Sequence, residues 1–137
     1  MKTLKPILIV EDDMVDAMTV KRALNDIHVS NRIVIIENGE AALDYLNDPV
    51  EEKPCIILLD LNMPKMNGIE FLKIVKAEDR FKTIPVVVLT TSKEDEDRME
   101  SFAQSVAGYM IKPVDYKQFV DTVKTIDLYW SLSELPS

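Results

Sequence analysis

Short aliphatic runs recur along this chain at regular intervals: Ile7 to Val10, Ile33 to Ile36, Ile56 to Leu59, Val86 to Leu89 and a shorter Tyr109 to Ile111. Runs of this length, rich in Val and Ile and apolar at successive positions, predict strands buried on both faces. The segments between them carry a different period. Apolar residues fall three and four apart at Val20, Ala23, Leu24 and Ile27; at Ala42, Leu43 and Leu46; at Phe71, Leu72 and Val75; and at Met99, Phe102, Ala103 and Val106. Each set makes one apolar stripe along a helix and leaves the charges outside. A last stripe of Phe119, Val120, Val123 and Ile126 predicts a helix from Asp115 to about Trp130. Strand and helix therefore alternate five times. The expected fold class is α/β, a doubly wound five-stranded parallel sheet with right-handed crossovers and helices on both faces.

At 137 residues, with 47% apolar and 29% charged residues, the chain fits one globular domain that needs no disulfide or metal staple. The single cysteine, Cys55, can form no internal disulfide, and with His28 as the only histidine a zinc site of the usual nitrogen and sulfur type cannot be assembled. No apolar run approaches the roughly 20 residues of a membrane span, and the opening "MKTLKPILIVEDD" meets acid too early for a signal peptide. A reducing, cytoplasmic setting is expected, with no membrane partner. A net charge of −8 opposes nonspecific association with phosphates, so no nucleic-acid binding is expected either. The three glycines, Gly39, Gly68 and Gly108, are too scattered for a glycine-rich phosphate cradle.

In open parallel sheets, ligands bind beyond the carboxyl ends of the strands. Here those ends collect one kind of chemistry. The first run is followed by Glu11 and Asp12, with Asp13 one step on; the third ends at Asp60, the fourth at Thr90 and the fifth at Lys112. The second ends in "ENG", Glu37 to Gly39, which reads as a turn into the next helix. One aspartate after a strand is commonly a cap. Several acids held together are not so easily dismissed, because like charges about 4 Å apart at an effective dielectric near 20 repel by about 4 kcal/mol, which drives uptake of a proton or a cation. An all-oxygen site with one or two carboxylates suits Mg²⁺. The ion would shield an incoming phosphoryl group against attack by a carboxylate oxygen, with Lys112 and Thr90 pairing the product's oxygens. Asp60 is thus a candidate phosphoacceptor.

From "ILIVEDD" through "LLDLNMPKMNG" and "VVVLTTS" to "GYMIKP", the chain resembles the receiver domain of two-component response regulators over nearly its whole length. The resemblance implies the flavodoxin-like (βα)5 strand order 2-1-3-4-5. It implies phosphoryl transfer from a sensor histidine kinase to Asp60, with Asp12 as a direct Mg²⁺ ligand, Glu11 acting through water and Asn62 supplying a backbone carbonyl. Thr90 matches the switch hydroxyl, Lys112 the phosphate-pairing lysine and Tyr109 the aromatic switch residue. Such a protein is a phosphoacceptor with slow self-dephosphorylation rather than a dedicated enzyme. Residues 1–130 correspond to the receiver domain and 131–137 to a tail, which leaves no DNA-binding effector segment, so output is expected through an unidentified downstream protein or onward relay. The "LYW" ending and the "NDPVEEKP" loop resemble single-domain receivers paired with phytochrome-like kinases, some of which dimerise through the last helix.

Two departures from the family pattern stand out. Ser105-Val106 replaces the common Gly-Ala before the fifth run, and Asp13 adds a third acid, expected to start a helix rather than bind metal. Thr91 is expected to narrow access to the phosphoryl site. The cluster "KEDEDRME", Lys93 to Glu100, reads as the solvated start of the fourth helix, and His28 as a surface loop residue. The aromatic C-terminal segment either folds back on the domain or forms a dimer seam. Two other functions stay open: an Mg²⁺-dependent phosphohydrolase of the haloacid dehalogenase type, which would want an acid where Asn62 stands, and a vestigial binding module, which would have lost one of the acids, Thr90 or Lys112.

Overall fold

The computed structural model describes residues 5–60, 68–90 and 108–111, with positions 117, 118, 120, 121, 124 and 125. Its elements, in chain order, are β1 (Ile7–Val10), α1 (Met14–Asp26), β2 (Ile33–Ile36), α2 (Gly39–Asn47), β3 (Ile56–Asp60), α3 (Gly68–Ala77), β4 (Val86–Thr90) and β5 (Gly108–Ile111). The strands form one sheet in the order β2-β1-β3-β4-β5, every pair parallel. All five aliphatic runs are strands, as their composition predicts. The expected fourth helix, with its Met99 to Val106 stripe and the Lys93 to Glu100 cluster, lies outside the described residues. Of the last helix, Lys117, Gln118, Val120, Asp121, Lys124 and Thr125 are described and helical.

Successive residues of β1, β3 and β4 point to opposite faces, and the chain fills both. Leu8, Val10, Ile57, Leu59, Val86 and Val88 pack with Ala42 and Leu46 of α2 and Phe71, Leu72 and Val75 of α3. Ile7, Ile9, Ile56, Leu58, Val87 and Leu89 pack with Ala17, Val20, Ala23 and Leu24 of α1, and Val120 joins that layer. Each Val, Leu, Ile or Phe side chain buried in this way contributes roughly 1.5–3 kcal/mol, which is why the runs tolerate no polar residue until their ends. β2 departs from the expectation of strands buried on both faces: all four of its residues are only half-buried. It is the sheet's edge, with a neighbour on one side only.

Helices α1 and α2 begin where the sequence supplies caps. Asp13 caps α1, its Oδ1 accepting from the backbone N–H groups of Val15 at 2.9 Å and Asp16 at 3.2 Å, so the expectation of a helix-start residue holds. Asn38, in the "ENG" turn, caps α2 by accepting from Ala41 at 2.8 Å. At the far end of α1, the N–H of His28 donates to Asn25 O at 3.0 Å and that of Val29 to Leu24 O at 3.1 Å. This paired closure needs a left-handed residue in between, and His28 supplies it at φ 65°. The histidine is exposed, as a surface loop residue should be, and roughly 20 Å of helix separates it from Asp13.

Two ionisable groups are held away from their ordinary behaviour by packing. Lys76, in the last turn of α3, donates to Lys82 O at 3.1 Å and Ile84 O at 2.9 Å, fastening the connection into β4; partial burial holds its ammonium below the usual lysine range. Tyr45 donates to Glu52 O at 3.2 Å, and burial chiefly raises its hydroxyl above the ordinary tyrosine value, with Arg32 opposing. Cys55 is half-buried before β3, next to the side chain of Asn31, whose Nδ2 donates to Lys5 O at 2.7 Å. All three sites lie toward the amino ends of the strands, opposite the acids.

Candidate functional site

The parallel register decides which strand ends meet. Val10 stands beside Leu59, so the same offset carried one step on sets Glu11 level with Asp60. Asp60 in turn pairs with Leu89, and Thr90 with Ile111. The ladder reaches one residue past β1, because the Glu11 N–H donates to Ile36 O at 3.0 Å. Central strands that end together thus bring residues 49 positions apart, Glu11 and Asp60, to one edge.

There Glu11, Asp12 and Asp60 converge, each offering a carboxylate oxygen, with these oxygens within 4.8 Å of one another. Glu11 is 3% exposed and Asp60 6% exposed, while Asp12 faces solvent. Ionised carboxylates lose much hydration on burial, and two so placed repel as well. Glu11 is held by the turn that follows it, its Oε2 accepting the N–H of Asp13 at 3.3 Å. Hard anionic oxygens, two buried at the base and one at the solvent rim, fit an oxygen-preferring divalent cation approached from outside.

The other expected site residues are placed less completely. Thr90 is the last residue of β4, and Tyr109 lies in β5 opposite Val88. Lys112, the residue after β5, lies outside the described residues, as do Asn62 and Thr91. The structure therefore brings together Glu11, Asp12 and Asp60, and sets the strand that carries Thr90 next to Asp60.

The profile of the response regulator receiver domain matches residues 7–124, most of the chain. This chain belongs to that family. Among curated relatives, the receiver domain is 40% identical over 127 residues to the probable methanogenesis regulatory protein FilR2 of Methanothrix harundinacea, covering 90% of this chain and 82% of that one. It is 36% identical over 130 residues to the response regulator Rcp1 of Synechocystis, covering 92% and 88%. Among solved structures, it superposes on the phosphorylated cyanobacterial phytochrome response regulator RcpA with a TM-score of 0.85 at 35% identity, over 98% of this chain and all of that one. The Mn²⁺-bound form of Rcp1 gives a TM-score of 0.82 at 35% identity, over 92% and 94%. The receiver domain is a two-component response regulator homologous to phytochrome response regulators, and neither the phosphohydrolase nor the vestigial module is favoured.

Sequence reasoning found the three acids but missed one contact. The N-cap role of Asp13 was legible, since an aspartate preceding a helical stripe is a cap signal. That its backbone N–H also holds Glu11 depends on the direction of the turn, which no residue pattern announces.

Proposed function

We propose that this receiver domain takes a phosphoryl group onto Asp60 from the phosphohistidine of a sensor histidine kinase. The observation that carries the reading is the convergence of Glu11, Asp12 and Asp60 at the carboxyl edge of the sheet. In the transfer an Asp60 carboxylate oxygen attacks phosphorus, the P–N bond breaks, and the imidazole leaves with its electron pair and takes up a proton. Glu11, Asp12 and Asp60, with the Asn62 carbonyl, would hold Mg²⁺. When bound, that ion supplies charge neutralisation for the incoming phosphoryl oxygens. The Mn²⁺ in the homologous Rcp1 structure supports a divalent site of this kind. Burial of Asp60 limits its contact with water, and Asp12 at the exposed rim gives a side from which a donor can approach. Beside that rim α1 presents Met14, Val15 and Met18 to solvent, apolar surface against which a protein donor can rest.

Lys112 pairs one phosphoryl oxygen and the Thr90 hydroxyl donates to another. As Thr90 is drawn toward the phosphoryl group, Tyr109 takes up the space it leaves, and the population shifts toward a surface with a different partner preference. The receiver unit spans residues 1–130 with a short tail at 131–137, acts in the cytoplasm, and passes its signal to a downstream protein or a further relay. The apolar C-terminal segment supports a homodimer through the last helix. These readings share one test, intact mass after incubation with acetyl phosphate, with size-exclusion elution on the same samples. One phosphoryl group that requires Mg²⁺ and is absent from Asp60→Ala supports the reading; turnover of small phosphoesters without a protein adduct would point to the hydrolase instead.

A further inference from the structure

We infer that Asp13 is a positioning residue for the metal site, acting through its helix cap and not through its charge; this rests on the reading of the acid cluster as a cation site. Three contacts on one residue carry the inference. The side-chain Oδ1 accepts from Val15 N at 2.9 Å and Asp16 N at 3.2 Å, which anchors Asp13 to the first turn of α1. Its own backbone N–H donates to Glu11 Oε2 at 3.3 Å. Asp13 also sits in extended backbone at φ −84° and ψ 111°, as a residue that caps a helix from just outside it does. The tripeptide from Glu11 to Asp13 is therefore closed into a loop with both ends fixed: Glu11 through its backbone bond to Ile36 O, Asp13 through the cap. Asp12 is the residue in between.

A cap side chain and an extra negative charge make opposite demands in substitution. Asn keeps a capping oxygen and loses the charge, whereas Glu keeps the charge but is too long to cap at this position. If the charge of Asp13 attracts the cation, Asp13→Asn should weaken binding and Asp13→Glu should preserve it. If the cap positions Glu11 and Asp12, the order is the reverse. Losing a cap costs about as much free energy as a fivefold change in an equilibrium constant, which sets the size of the effect when the turn is released.

The test is Mn²⁺ affinity of the full chain, read from the free-ion paramagnetic resonance signal, for wild type, Asp13→Asn, Asp13→Glu and Asp13→Ala. Amide hydrogen exchange at Val15 and Asp16 on the same proteins reports whether the cap is present, and far-ultraviolet circular dichroism confirms the fold. The expected result is that Asp13→Asn binds within about twofold of wild type with protected amides, while Asp13→Glu and Asp13→Ala bind about fivefold more weakly with faster exchange. Equal affinity in all four proteins would overturn the inference, as would an Asn variant weakened as much as Ala. Absence of Mn²⁺ binding in wild type would overturn it together with the metal reading itself, which keeps the two failures distinct.

Discussion

Replacing Asp60 by asparagine removes one buried charge from the acid cluster while keeping the side chain's size, and it should make the metal-free protein more stable. Carboxylate oxygens no more than 4.8 Å apart repel by about 3.5 kcal/mol at an effective dielectric of 20 and by about 0.9 kcal/mol in bulk water. The Glu11 and Asp60 pair is buried and lies toward the first figure; the exposed Asp12 lies toward the second. Some of the relief is returned through weaker hydrogen bonding by the amide, so the expected gain is about 2 kcal/mol, or roughly 6–8 °C in Tm for a domain of this size. Mg²⁺ acts in the opposite direction: at a hundredfold excess over Kd it stabilises the wild type by about 2.7 kcal/mol, and it stabilises Asp60→Asn less. Thermal unfolding of both proteins in EDTA and in Mg²⁺ should show the variant ahead in the first condition and its lead closed or reversed in the second. An Asp60→Asn protein that is less stable than wild type in EDTA would refute the claim that repulsion governs this edge.

Three further outcomes follow from the packing. His28→Gly relieves a non-glycine residue at φ 65° and should raise stability by about 0.5–1 kcal/mol, measured by urea denaturation; no gain would mean that the closure of α1 carries no strain. Phe71→Ala empties a fully buried position between α3 and the sheet and should cost about 3–5 kcal/mol, with a loss under 1 kcal/mol contradicting the described core. Tyr45 keeps its proton in the folded protein above the ordinary value of 10.0, mainly because burial disfavours the anion. The unfolded chain ionises first, so its stabilising contribution, complete below pH 10.0, is lost as pH climbs through the raised folded value. A Tyr45→Phe variant should therefore show a shallower alkaline fall in Tm, and a slope identical to wild type would dispose of this assignment.

Much of the fold is legible in the residues because parallel strands buried on both faces leave so strong a mark. "ILIV", "IILL" and "VVVL" admit no polar side chain, since alternate residues meet helices on opposite sides. The acids are legible for a related reason: a charge directly after such a run can only stand at the sheet's rim. Strand order is another matter. The order 2-1-3-4-5 followed from the family resemblance and holds in the structure, but nothing in the period of "IVII" itself says that Ile33 to Ile36 lies at an edge and is only half-buried, because edge and centre differ by neighbours and not by composition. Backbone direction is equally silent in sequence, which is why the hydrogen bond from Asp13 to Glu11 had to be seen. The αL conformation of His28 likewise has no signal, glycine being the usual marker of such a site.

The residue that receives the phosphoryl group decides between these functions. An acyl phosphate on an aspartate is reduced by borohydride to the alcohol, leaving homoserine in place of the original residue, and peptide mass mapping then locates it. After incubation with acetyl phosphate and Mg²⁺, the peptide carrying residues 56–60 should show this change at Asp60 alone, and omitting Mg²⁺ should abolish it. Homoserine at Asp12 or Asp13, or phosphate found on His28, would contradict Asp60 as the phosphoacceptor.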